Sequence, residues 1–227
     1  VGVIAVATSA ILIPTLTSAS GPTIRQGTTT TYGVLAATTV TNTGVTTISG
    51  SAGGDVGLSP GTSYTGSSTV TRSGVDHIAD AAAAIAQADL TIAYGDLGVP
   101  TPTTLAAVDL AGQTITPGTY STAAGTFENS GTLTLNAGGD PTAVFIFQAV
   151  STVITSTGST MVLTGGAQAC NVFWRVGSSA TIGSGSTFVG HVYAQTSITA
   201  VAGATIFGNL LARDAAVTLD NTTIVNN

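Results

Sequence analysis

A chain of 227 residues can build one full hydrophobic core, with or without a short appendage. Its formal net charge is -6, from four arginines, ten acids and no lysine, which excludes a nucleic-acid or anionic-membrane partner and every chemistry that needs a lysine amine, Schiff bases and Lys–Asn crosslinks included. Charged residues make up only 6% of the chain and its mean hydropathy is +0.48, so the expectation is a folded, mainly β protein with a surface of hydroxyls rather than a disordered one.

The first twenty residues, VGVIAVATSAILIPTLTSAS, are uncharged and mostly apolar. Pro14 breaks the run short of the roughly 20 residues a membrane helix needs, so no membrane span is expected in the mature form. Two readings stay open. One is the remnant of a secretory signal, although an initiator Met and a basic leading segment are absent. The other, preferred one is a retained extended hydrophobic strand built on Val1, Val3, Ile4, Val6, Ile11, Leu12 and Ile13, which would have to be buried somewhere. Residues 1–27 are therefore expected to be a strand plus linker, with the Thr-, Ser- and Gly-rich stretch 15–31 as a flexible tether, and residues 28–227 to be the main domain.

The stretch SGVDHIADAAAAIAQADLTIAYG carries the one strong helical pattern. Val75, Ile78, Ala82, Ile85 and Ile92 fall on one stripe, Ser73 is the expected N-cap with Asp76 three residues on, and Gly95 is the expected stop. A helix over about 74–95 would be roughly 33 Å long, which matches about seven stacked strands at about 4.8 Å each.

Further along, TFVGHVYA at 187–194 returns as TIFGNLLA at 205–212, eighteen residues later, and Thr222-Thr223-Ile224 starts a third copy. A repeat of that length is one coil of a β-solenoid, and strands of about 5 to 6 residues give it three sides. Phe188, Ile206 and Ile224 should stack inside, with Thr187, Thr205 and Thr223 pointing out. Val189, Tyr193, Phe207 and Leu211 occupy the outward phase of what reads as one wall, apolar on both faces, which the helix would cover. Cys170, in ACNVFWRV, is expected as a buried thiol.

Several ordered motifs carry a family likeness: VTNTG at 40–44, DVGLSPGT at 55–62, DLAGQTITPGTY at 109–120, GTLTLNAGGDPTAVFIFQ at 131–148, GAQACNVFWRVGSSATIG at 166–183 and ARDAAVTLDNTTI at 212–224. Over residues 28–227 the chain resembles the ice-binding protein family. The resemblance implies an irregular right-handed β-solenoid of triangular section with one long α-helix packed along it. It also implies a flat hydroxyl-rich wall as the surface that meets ice, through a short motif resembling T-A/G-x-T/N. The candidate rungs are TIGS, TAVA and TLDN, which supply Thr181 with Ser184, Thr199 with Ala202, and Thr218 with Asn221. Thr160, Thr187, Thr205 and Thr223 form a second outward ladder.

No constellation for chemistry emerges. His77 reads as a rim residue, and His191 and the lone Cys170 lack the partners a nucleophile–base pair requires. No spacing suits zinc or calcium, and the glycine-rich pieces sit in turn contexts, not phosphate-binding ones. Asp55, Asp109 and Asp140, beside Gly or Pro, read as turn residues. No catalytic residue, metal or cofactor is expected, and the chain is expected to be a non-enzyme outside the cell, secreted or at the surface. The leading functional expectation is a filament subunit joined non-covalently to copies of itself, the N-terminal strand completing a neighbour's sheet. The alternative is a secreted protein whose Thr-rich face binds the surface of an ice crystal; a third reading binds polysaccharide on that wall.

Overall fold

The computed structural model describes residues 21–227, so the expected N-terminal strand of Val1, Val3, Ile4, Val6, Ile11, Leu12 and Ile13 lies outside the described residues. Short β-branched segments broken by glycine turns stack as parallel strands in three sheets of nine, seven and eight strands, here called A, B and C. Each coil contributes one strand to each sheet, as in Thr187–Val189 (C), His191–Ala194 (A), Ile198–Ala200 (B) and Thr205–Phe207 (C). The eighteen-residue copies are adjacent rungs: Thr187 pairs with Thr205 and Thr205 with Thr223, while Phe188, Ile206 and Ile224 are fully buried beneath them.

The coils do not follow one another from end to end. The first coil (Tyr32–Ala36, Thr39–Thr43, Thr46–Ser49) is followed by a second (Asp55–Leu58, Ser63–Thr65, Val70–Arg72) that forms one end of the stack with Asp76–Ile78. The chain then crosses to the opposite end through the helix and winds back, until the last coil (Leu210–Ala212, Val217–Asp220, Thr223–Val225) docks on the first. Inside, Phe147 stacks on Trp174 with ring centroids 4.0 Å apart, Phe127 meets both edge-on, and the Trp174 indole N–H donates to the Val189 carbonyl at 2.9 Å.

The helix spans Ala81–Asp96, not 74–95. Residues 76–78 pair as a strand beside Val56–Leu58, which satisfies their backbone in the sheet and delays the helix start. Its N-cap is Asp80, whose carboxylate accepts from the Ala83 N–H at 2.8 Å, and not Ser73; the chain runs past Gly95 to end at Leu97. At 16 residues it is about 24 Å long, and it covers five rungs of sheet A rather than seven, through Leu35, Leu211, Tyr193, Phe173 and Ile146. The buried face is Ala83, Ala86, Leu90, Ala93 and Tyr94, while Ile85 and Ile92 of the expected stripe are 55% and 42% exposed and Val75 lies outside the helix. Small alanines let the helix backbone approach a sheet that already supplies bulky aromatics, so the large side chains are on the sheet.

The apolar outward residues belong to two walls. Tyr193 and Leu211 lie on sheet A under the helix, whereas Val189 and Phe207 lie on sheet C, beside a depression of about 350 Å³ shared with Leu163 and Ala169. Cys170 is exposed, in a one-turn 3-10 segment (Ala169–Asn171) ahead of Val172–Val176. Residues 21–31, expected as a tether, are held against the solenoid and helix: Arg25 pairs with Asp96 at 2.6 Å, Thr28 donates to Asp89, and the Tyr193 hydroxyl donates to Gln26.

Candidate functional site

The helix covers five of the nine strands of sheet A, and among the described residues no other segment lies over sheets B and C. On sheet B the strands alternate buried aliphatics with one outward residue, and parallel pairing sets those outward residues in a single row. In order along the solenoid they are Glu128, Ile154, Thr181, Thr199, Thr218, Thr41 and Thr65. Five consecutive rungs therefore carry threonine, spaced by about 4.8 Å. The expected Thr181, Thr199 and Thr218 are adjacent members of this row. Thr41 and Thr65 extend it, although reading the local repeat alone misses them. Their signal is present: VTNT at 40–43 matches VTLD at 217–220, the strand it pairs with.

Ser184, Ala202 and Asn221 are not on this wall. They fall at the corner where sheet B turns into sheet C: the Ser184 hydroxyl donates to the Ala202 carbonyl at 2.7 Å, and Asn221 holds a left-handed backbone with φ 47°. Their role there is to close turns. Two residues toward the other edge of each strand lies a flanking row that includes Thr126, Thr152, Ser179, Ser197 and Thr39, the last paired with Ser63. Some of these hydroxyls bond each other, as Thr126 with Thr152 at 3.2 Å, and Ser179 bonds Thr196 at 2.8 Å. Among the described residues the five central threonine hydroxyls have no side-chain partner, and so face water. Sheet B thus presents a two-dimensional field of small hydroxyl and methyl groups, with rows roughly 6.7 Å apart along the strands.

Sheet C carries the second expected ladder, and it is longer than the repeat indicated. Thr160, Thr187, Thr205 and Thr223 sit between Thr132 at one end and Thr47 and Thr71 at the other, seven in one register. The next outward row is apolar through its middle, with Val189, Phe207 and Val225 side by side between Thr134 at one end and Ser49 at the other. Through that middle stretch this wall is one hydroxyl row wide, beside the depression.

The titratable groups are engaged in structure. His191 is buried and bonded to Asn209 at 3.0 Å, and burial pushes its pKa down. His77 pairs with Asp80 at 2.8 Å near the helix start. Asp109 accepts from Ser130 and the Ala111 N–H, and Asp140 from Thr142; these bonds hold both carboxyls below their usual range. Asp55 accepts from the Val75 N–H at 2.9 Å. Among the described residues, no group of three or more His, Cys, Asp or Glu side chains is placed to hold a metal ion. No described helix is long and apolar enough to cross a membrane.

A three-sided parallel β-solenoid braced by one helix, with a threonine wall that no other described segment covers, defines the class of protein. The ice-binding-like family profile matches residues 34–225, and the chain belongs to that family. It is similar to an ice-binding protein of Nostoc sp. (strain HG1), 43% identical over 202 residues that cover 88% of this chain and 73% of that protein. Among solved structures, an ice binding protein from an Antarctic biological consortium superposes with TM-score 0.85 at 41% identity, covering 95% of this chain and 96% of that one. The ice-binding protein of the Antarctic ascomycete Antarctomyces psychrotrophicus gives 0.84 at 38%, covering 90% and 98%. These relatives correct the leading functional expectation. Proteins of this sequence and fold are named for binding ice, and none of these matches is to a filament subunit, so the strand-exchange homopolymer is withdrawn.

Proposed function

We propose that this protein is a non-enzymatic, extracellular ice-binding protein whose partner is the surface of an ice crystal, and that sheet B is the wall that meets it. The observation that carries the reading is the row Thr181, Thr199, Thr218, Thr41 and Thr65, five threonines on consecutive parallel rungs. Each offers a methyl and a hydroxyl, and the rigid strand ladder fixes their spacing before any contact with ice. Water held between such groups can adopt a crystal-like arrangement without the side-chain ordering cost that a flexible surface would carry. The family supports the same reading, because the relatives just described are ice-binding proteins. Ser184, Ala202 and Asn221 contribute by setting the corner, not by touching ice.

Sheet B is preferred over sheet C because its hydroxyls extend in two directions, whereas the ladder of Thr160, Thr187, Thr205 and Thr223 borders an apolar row and a depression. The test is thermal hysteresis. Thr199→Tyr, at the centre of the sheet B row, is expected to remove most of it with the fold intact. Thr205→Tyr is expected to remove much less. An intact wild type without hysteresis sinks ice binding; equal losses from the two variants sink the choice of wall.

A further inference from the structure

At one end of the solenoid, one column of core residues on each sheet changes character. On sheet C the buried column Ile206, Ile224, Ile48 ends in Arg72. On sheet A the column Leu210, Val34, Val56 ends in Asp76. On sheet B the column Val217, Val40 ends in Tyr64. Arg72 and Asp76 form an ion pair, and each side chain keeps 24% of its surface in water. Among the described residues, the Tyr64 hydroxyl, the Arg72 Nε and one Asp76 carboxylate oxygen are buried with no hydrogen-bond partner. Burial pushes the Asp76 carboxyl up despite the arginine beside it. Among the described residues, Ser63–Thr65, Val70–Arg72 and Asp76–Ile78 are also the outermost strands of their sheets, so three edges without a described partner strand lie together around these side chains.

Unpaired parallel edges over an aliphatic core would invite a second chain to continue the stack. We propose that Tyr64, Arg72 and Asp76 form a polar stop that keeps a second copy of this chain from pairing on this end. A copy seated there would strip the remaining water from the ion pair and close over polar atoms that already lack partners, and such burial is strongly unfavourable. The same groups in aliphatic form would simply extend the three columns and offer the edge as a dimer interface.

The experiment is sedimentation velocity over a wide concentration range, with hydrogen exchange on the same samples. The wild type is expected to remain monomeric, with the edge amides of residues 63–78 unprotected on their outer side. Tyr64→Val/Arg72→Ile/Asp76→Val is expected to self-associate as concentration rises, with protection gained at those amides. The milder pair Arg72→Gln/Asp76→Asn keeps side-chain shape and removes both charges; it is expected to associate more weakly and serves if the triple variant fails to fold. A folded variant that stays as monomeric as the wild type overturns the proposal, as does a wild type that already associates through these edge amides.

Discussion

The repeated TFVGHVYA and TIFGNLLA owe their shared glycine to backbone crowding at the corner between sheets C and A. Gly208 has φ 150°, and a Cβ there would lie 2.1 Å from the Gly190 carbonyl oxygen one rung below. Backbone cannot swing aside as a side-chain tip can, so Gly208→Ala is expected to destabilise by more than the roughly 1 kcal/mol that typical substitutions cost, read as a drop in the urea midpoint. An unchanged midpoint would show that the corner can relax. His191, in the same corner, gives a pH signature. Burial lowers its pKa below the unfolded value of about 6.5, so the unfolded chain binds the extra proton first. Stability is full above that value and falls as pH drops through it toward the folded pKa. Asp96, held low by Arg25, and Asp109, held low by Ser130, add a second loss as pH falls below about 4. Denaturation at pH 7 and 5.5 should show the first loss in the wild type and a flatter dependence in His191→Gln. A slope that survives the substitution would show that His191 is not its source.

At the scale of elements, the helix is the instructive case, because its existence and its place on the solenoid were legible while its face and start were not. The aliphatic stripe Val75, Ile78, Ala82, Ile85, Ile92 outweighed the alanines on hydropathy alone, yet shape decides which face packs. Sheet A already presents Phe173, Tyr193 and Leu211, so the helix needs a shallow surface and buries Ala83, Ala86 and Ala93 beside two large side chains, Leu90 and Tyr94. Leu90→Ala should therefore cost about 2–5 kcal/mol, whereas Ile85→Ala, at an exposed position, should stay within about 0.5 kcal/mol. Chemical denaturation of the two variants separates them, and comparable losses would mean that the outer face is covered. The start was hidden for a related reason. Asp76, His77 and Ile78 fit a helical pattern locally, and only the open edge of Val56–Leu58, contributed by a distant turn of chain, makes a strand the better use of their backbone.

For the whole molecule, the period of eighteen and the three walls could be read directly from residues 185–225, but the order of the coils could not. Each rung looks alike to its neighbours, so the local repeat does not say that the last coil meets the first. The matching pieces TTI at 46–48 and TTI at 222–224 do, since they stack in register. That closure has a consequence for folding. The first two coils cannot bury Val34, Val40 and Ile48 on one side until Leu210, Val217 and Ile224 arrive, with nearly the whole chain in between. A linear solenoid could fray from either end in steps; here the N-terminal coils and the C-terminal coil are each other's neighbours in mid-stack. The protein is thus expected to unfold as one unit, and amides of Tyr32–Ser49 and Leu210–Val225 should share a single opening free energy in native-state hydrogen exchange. Ile224→Ala, which thins the junction, should lower both sets together, by about 2–5 kcal/mol. If only the C-terminal amides respond, the last coil opens by itself and the closure does not couple the two ends. Coupling of this kind would also keep the threonine row of sheet B rigid across the junction, because Thr218 and Thr41 stand on opposite sides of it.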